Sequence, residues 1–464
     1  MFFMSVIWEG LENFSLILGV QKQITLIMEA NLVKPATGKL GVLCVGLGAV
    51  STTFIAGSLM CRKGMGLPGG SITQMAKIRV GRGDKKTYKR VGEIVPLADL
   101  KDFEIGAWDI FTDNAYQSAM HAEVLKPCHI EPVRDELERI VPMKAAFDPE
   151  YVSRLHGENI KQAGTRWELV EQLRDDIRTF KKAHGCERIV VIWAASTEKY
   201  IPYNEQVHKN LSDLEEAMRA DDRANISPSM CYAYAAIAEG APFVMGAPNL
   251  CIDIPAMWEF AEKQNVPLAG KDFKTGQTLM KTVLAPMLHT RCLGLSGWFS
   301  TNILGNRDGE VLDAPENFKT KEVSKLSVID TILDKNEQPE LYSDIYHKVR
   351  INYYPPRGDN KEGWDNLDIF GWMGPDYGMQ IKIDFLCRDS ILAAPLMLDL
   401  VLCADLAARA GWKGIQTWMS FYLKSPMHDY VKGIEPVHDL FQQFAMFKNA
   451  IRMMGGYEAD QELD

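Results

Sequence analysis

No two of the nine cysteines (44, 61, 128, 186, 231, 251, 292, 387 and 403) form a C-x-x-C pair, and the nine histidines show no H-x-x-x-H or H-E-x-x-H spacing. The clustered thiolates and imidazoles that bind zinc are therefore missing. An odd number of scattered thiols also argues against a disulfide framework and for a reducing cytoplasm. Positive charge is in deficit: 51 basic against 61 acidic side chains leave a net charge of −10. Such a field repels nucleic acid and anionic lipid, so neither is an expected partner, and an anionic substrate would need a local basic pocket. Long uninterrupted apolar runs are lacking too. Residues 1–30 are apolar on balance, but Glu9, Glu12 and Lys22 interrupt them, and no basic segment precedes an apolar run with a small-residue cleavage site. This is neither a signal peptide nor a membrane span. The apolar stretch 390–410 contains Asp399, Asp405 and Arg409 and reads as a buried helix. Internal repeats and low-complexity tracts are absent.

What is present describes a globular protein of more than one domain. The chain has 464 residues, with 47% apolar and 24% charged side chains, enough for two or three cores. The apolar run Leu40 to Val45 ends at Gly46-Leu47-Gly48-Ala49-Val50-Ser51 and leads into a helical stretch from Thr52. Strand, glycine turn and helix in that order suit a dinucleotide, whose pyrophosphate needs close backbone approach and the free N–H groups of a helix start. A plain turn has the same pattern, and Ser51 stands where a third glycine is expected. The acidic ribose ligand expected about 20 residues onward is missing; Asp109 or Asp113 could supply it, or could serve as a strand end and a helix cap. A second strand-like run, Glu187 to Trp193, ends in Ser196-Thr197-Glu198, and such a strand end faces the ligand crevice of an open α/β sheet. Between these, Leu169, Val170, Leu173, Ile177 and Phe180 recur at helical spacing and predict a helix packed on the sheet.

From about Val266 strand-like runs dominate, and a second, α+β domain is expected. Here Thr275-Gly276-Gln277-Thr278 precede a helix and could bind phosphate through hydroxyl, amide and backbone N–H groups, or merely cap it. Asn302 to Gly309 form a polar turn after a strand. Lys321 and Lys325 share a helix face, where like charges repel unless something anionic lies between them; an exposed basic face would look the same.

Several segments together carry a resemblance. Gly276-Gln277-Thr278, Asn302 to Gly309, Lys321 to Ile329, Gly358-Asp359-Asn360-Lys361, Arg388 to Leu396 and Phe421 to Met427 occur in the order seen in myo-inositol-1-phosphate synthases. Trp193 to Tyr200 and Gly246-Ala247-Pro248-Asn249 are similar to two further segments of that family, and the likeness runs from about residue 38 to 445. The resemblance implies an α/β fold with a Rossmann-type NAD-binding domain (39–265), an α+β catalytic and oligomerisation domain (266–385), and a C-terminal helical segment (386–464) completing the site. The resemblance, which begins near residue 38, leaves residues 1–38 as an expected N-terminal extension. It further implies conversion of glucose 6-phosphate to inositol phosphate with NAD, by oxidation at C5, enolisation, aldol closure and re-reduction, in a cytoplasmic homotetramer. An activating mono- or divalent cation stays open.

Family residues carry over one by one. Asp308, Lys321, Lys325, Asp359, Lys361, Asp389 and Lys424 form the implied catalytic set. Lys325 is assigned to proton transfer at the C5 hydroxyl, and Lys321, Lys361 and Lys424 to oxygen stabilisation or phosphate-assisted proton removal. The three aspartates orient the lysines. Gly46, Leu47, Gly48, Ala49, Val50, Ser51, Asp109, Ser196 and Thr197 are assigned to the cofactor, and Thr275, Gly276, Gln277, Thr278 and Asn306 to the substrate phosphate. No metal ligand is expected. The alternatives are a net NAD(P)-dependent dehydrogenase of the homoserine-dehydrogenase type and a non-catalytic NAD-binding regulator.

Overall fold

The computed structural model describes residues 33–459, apart from the side chains of 323–327. In chain order the strands are Lys39–Val45 (β1), Lys77–Val80 (β2), Thr87–Arg90 (β3), Phe103–Asp109 (β4), Met143–Lys144 (β5), Cys186–Trp193 (β6), Phe243–Met245 (β7) and Pro267–Gly270 (β8). Gly294–Leu304 (β9), Tyr346–Tyr353 (β10), Asn360–Phe370 (β11), Met379–Arg388 (β12) and Gly414–Ile415 (β13) follow.

Seven strands make one parallel sheet in the order β13-β8-β7-β6-β1-β4-β5. Strand β1 sits in its middle and is buried on both faces after its first residue, which is why it reads as an unbroken apolar run. Leu40, Val42 and Cys44 point into a core shared with helices Ala49–Arg62 and Asp389–Arg409, while Leu43 and Val45 point into a second core with helices Arg166–His184 and Pro228–Ala238. Strand order reverses between β1 and β6, the place where an open α/β sheet parts to admit a ligand.

Strands β9 to β12 form a separate sheet, β10-β9-β11-β12, mixed in direction. Helices Gly276–Thr290 and Pro315–Asp330 cover its inner face around Trp298, Leu295, Leu367 and Ile369. The expected Rossmann-type domain and mixed second domain are thus both present, with shifted boundaries. Strand β8, placed in the second domain by the change of pattern at Val266, hydrogen-bonds beside β7 in the parallel sheet. It is short and wholly buried, so its sequence carries no mark of which sheet it joins. Strand β12 likewise runs to Arg388, three residues past the expected end of the second domain.

Among the described residues, Asp389–Arg409 is the one helix long and apolar enough to cross a membrane. It is a core helix: Asp399, fully buried, accepts hydrogen bonds from Ser71, Ile72 and Thr73, and Asp405 pairs with Arg188 and Arg409.

Residues 1–32 lie outside the described residues. The core closes from Val33 onward, so a chain starting at residue 28 is expected to fold and keep its activity. Insolubility or lost turnover after that truncation would show that the extension packs on the domain.

Candidate active site

The crevice opens at the carboxyl ends of β1 and β6 and encloses roughly 480 Å³. Gly46 has φ +92, and a Cβ there would lie 2.8 Å from the Cα of Ala195, so only glycine lets the two strand ends meet. A Cβ on Gly48 would meet nothing within 4 Å; that position faces the open crevice where helix Ala49–Arg62 begins. The helix start has no acidic residue in its first turn and no side-chain cap, leaving its N–H groups for an anion. Asp109, at the end of β4, is an acid that lines the crevice beside the glycine loop. The insertion that holds β2 and β3 separates it from that loop in sequence. Its carboxylate accepts from the N–H of Leu47 at 2.5 Å and of Phe111 at 3.0 Å, and burial raises its pKa.

Gly46, Leu47, Gly48, Ala49, Val50, Asp109, Ser196 and Thr197 all line this crevice. Ser51 does not. It is buried, and its hydroxyl donates to the Gly46 carbonyl at 2.6 Å, closing the turn from behind instead of facing a ligand. The site residues fit NAD: a glycine cradle, an uncapped helix start and an acid beside the loop.

Around Asp272 and Asp389, which line the crevice, three lysines converge; Lys321 and Lys424 line it too, and Lys361 stands behind Asp389. Lys321 projects from helix Pro315–Asp330, Lys361 from β11 and Lys424 from the loop after β13, and all are buried. Asp272 joins two of them: its Oδ1 accepts from Lys321 Nζ at 2.9 Å and from Lys424 Nζ at 3.2 Å. Asp389 Oδ2 accepts from Lys361 Nζ at 3.1 Å. Gly276, with φ +55, starts its helix so close that a Cβ would stand 3.7 Å from Lys361 Nζ.

Charge is divided unevenly in this cluster. Burial opposes the ammonium of Lys321, but Asp272 and then Asp308 outweigh it and raise the pKa. Burial likewise opposes Lys361, and Asp389 raises its pKa on balance. Lys424 is different: burial first, joined by the neighbouring Lys321 and Lys361, outweighs what Asp272 and Asp389 restore and pushes its pKa down to about 8. Asp272 and Asp389 are buried, which favours the acid, yet their lysines hold both pKa values below the usual carboxylate range. One lysine of the three is thus poised to exchange a proton near neutrality while two remain charged.

Several assigned residues stand elsewhere than expected. Among the described residues Asp359 bonds no lysine; its carboxylate accepts from Ser390 N and Oγ at 3.1 and 2.7 Å and from Asn306 Nδ2 at 3.2 Å. It ties the turn before β11 to the start of helix Asp389–Arg409. Asn306 caps Arg307–Leu312 through its other end, accepting from Gly309 N. Gln277 donates to the carbonyls of Thr301 and Trp364 and accepts from Asn302, so its amide faces β9 and β11. Thr278 is fully buried. Of the expected phosphate ligands, Thr275 and Asn306 line the crevice, while Gly276, Gln277 and Thr278 do not; they form the start of the helix behind Thr275. Asp308 also lines it. The side chain of Lys325 lies outside the described residues.

Asp272 was missed. It directly precedes the Thr275 segment, but Lys271 and Lys274 flank it in sequence, and charges so interleaved read as a solvated loop. Its φ of +64, which turns the carboxylate inward, has no sequence signature for a non-glycine residue.

A family model described as myo-inositol-1-phosphate synthase matches residues 40–452. The chain belongs to that family. Inositol-3-phosphate synthase 1 of Bacteroides thetaiotaomicron is 65% identical over 430 residues, which is 92% of this chain and 98% of that one. Inositol-3-phosphate synthase 1 of Oryza sativa is 33% identical over 453 residues, covering 92% of this chain and 87% of its own. Among solved structures, inositol-3-phosphate synthase from Caenorhabditis elegans superposes with a TM-score of 0.85 at 28% identity, covering 93% and 88% of the two chains. Members of this family are NAD-dependent isomerases, and the glycine loop and two of the three lysines line one crevice. Among the described residues no group of three or more His, Cys, Asp or Glu side chains could hold a metal ion.

Proposed function

We propose that this chain is an inositol-3-phosphate synthase that converts D-glucose 6-phosphate to inositol phosphate in the crevice between the Gly46 loop and the three lysines. The observation that carries the proposal is the convergence of buried Lys321, Lys361 and Lys424 on Asp272 and Asp389 beside a dinucleotide loop. The Gly46 loop, Asp109, Ser196 and Thr197 hold NAD, which when bound supplies reversible hydride exchange at C5.

The lysines answer the rest of the chemistry. Oxidation at C5 releases a hydroxyl proton, enolisation removes one from C6, and ring closure places negative charge on the C1 oxygen. Lys321 and Lys361, kept charged by their aspartates, donate hydrogen bonds to oxygens that become anionic in a water-poor site. Lys424, the lysine with a lowered pKa, takes part in proton removal. Thr275 and the N–H groups starting helix Gly276–Thr290 receive the phosphate. Lys325 keeps its assignment to the C5 hydroxyl.

The deciding experiment uses glucose 6-phosphate deuterated at C5, with NAD and purified protein in ordinary water. Inositol phosphate that keeps the label, with no net NADH, is expected, since a hydride held on a closed site cannot exchange with solvent. A net dehydrogenase would release labelled NADH, and a regulator would release nothing. Product carrying solvent hydrogen at C5 would sink the internal redox cycle. Repeating the assay with added mono- and divalent cations reads any activation.

A pH dependence follows from Lys424. Its neutral form dominates only above about 8, so turnover should fall about tenfold per unit as pH drops below that value. Lys424→Arg, which cannot deprotonate, should remove this acid limb and leave a low, flat profile. An unchanged limb in that variant would move the base to another residue.

Nine free thiols fit a cytoplasmic setting. The outer face of the second sheet presents Phe299, Trp364 and Leu386, the last two 40% and 62% exposed, and supports assembly of copies into a homotetramer, which light scattering would measure.

A further inference from the structure

Asn317 lies one helical turn before Lys321 on Pro315–Asp330 and is 1% exposed. Its amide nitrogen donates twice, to the Tyr151 carbonyl at 3.0 Å and to the Thr197 carbonyl at 2.8 Å. Thr320, also buried, donates to the Glu198 carbonyl at 3.0 Å, and the Tyr200 N–H donates to the Glu316 carbonyl at 3.0 Å. All these partners belong to two loops at the crevice end of the parallel sheet, the first after β5 and the second after β6. Tyr151, Thr197 and Glu198 line the crevice; Asn317 and Thr320 do not.

The start of the lysine helix is thus seated on the wall of the dinucleotide crevice by donors that touch no ligand. Residues i and i+4 of a helix share a face, and the backbone between them is rigid, so whatever places Asn317 also places the root of Lys321. The far end of Lys321 is held by Asp272, on the loop after β8. Both ends of that side chain are therefore referred to the parallel sheet, although the helix itself covers the second sheet.

We infer that Asn317, assisted by Thr320, is a positioning residue that sets the Lys321 ammonium against Asp272 in the crevice. The inference rests on the proposed role of Lys321 in the reacting pocket. A leucine at 317 would keep the branched shape but not the amide donor, leaving the Tyr151 carbonyl with the Lys199 N–H alone and taking from the Thr197 carbonyl the Asn317 bond. Misplacement of a reacting group by about 1 Å can cost 10²-fold in rate, and a loss of that order in kcat, with KM and NAD affinity little changed, is expected.

Two measurements on the full chain test it. In the first, amines are reductively methylated with formaldehyde and cyanoborohydride and read by peptide mass spectrometry. Asn317→Leu should speed labelling of Lys321 about tenfold, as when local opening becomes easier by the worth of a buried hydrogen bond, with Lys361 unchanged. Labelling of Lys321 that stays constant, or that rises together with Lys361, overturns the inference. In the second, the kcat loss from Asn317→Leu should vanish in a Lys321→Ala background, because the two act as one unit. An equal loss in both backgrounds would make Asn317 a general support of the fold. If Asn317→Leu does not fold, Thr320→Val goes through the same two measurements. Should the parent lack isomerase turnover, the function proposal fails while the labelling result still decides the position of Lys321.

Discussion

Lys361→Ala is expected to lower turnover by about 10²–10³-fold, the usual cost of one hydrogen-bond donor aimed at charge that develops in a transition state. NAD affinity should hardly change. Lys361 is buried, projects from β11 toward the start of helix Gly276–Thr290 and is paired with Asp389, and it lies outside the glycine loop that receives the dinucleotide. A donor that meets substrate oxygen only as it becomes anionic contributes to kcat more than to ground-state binding. The comparison is Lys335→Ala, at an exposed position far from any assigned role, and isothermal titration with NAD alongside steady-state kinetics reads both quantities. Equal turnover in the two variants would remove Lys361 from the chemistry and return the lysines to the status of structural ion pairs.

Asp272→Asn should be the most destabilising single change in the site. The carboxylate is fully buried and receives two ammonium groups. Replacing it by a neutral amide of the same shape leaves Lys321 and Lys424 facing each other without their nearest counter-charge, with only the more distant Asp308 and Asp389 to offset them. Breaking a buried pair from one side typically costs about 3–5 kcal/mol, which for domains of this size lowers the melting temperature by roughly 10 °C. The gap should depend on pH in a definite sense. The Asp272 pKa is lowered in the folded protein, so its contribution is fully present above the unfolded value of about 3.9 and is lost as pH falls through the folded value. Melting curves of parent and variant should therefore converge in strong acid and separate near neutrality. Coincident curves at pH 7 would mean that the two lysines find another counter-charge, and the division of labour between Lys321 and Lys424 would have to be redrawn.

Much of this protein is legible in its residues alone, because local chemistry and periodicity are local properties. The apolar run at Leu40, the glycines that follow it and the helical spacing from Leu169 to Phe180 each specify an element from a short window, and ordered motifs in the second half pointed to the family. The lysines of those motifs were visible as types in an order. What they do to one another was not. Asp272 became part of the cluster only when the loop after β8 was brought against the loop after β13, a contact across 152 positions of chain. Asp109 fell outside the usual ribose spacing because an insertion delays it, and only strand pairing between β1 and β4 returned it to the glycine loop. Gln277 and Asp359, read as facing ligand and lysine, were turned toward β9, β11 and helix Asp389–Arg409 by hydrogen bonds that a sequence window cannot contain. Residue identity determined which groups could ionise, donate or bend the backbone. Tertiary structure alone decided which of them share a buried, low-dielectric space, and that sharing is what separates a lysine near pKa 8 from two that stay charged.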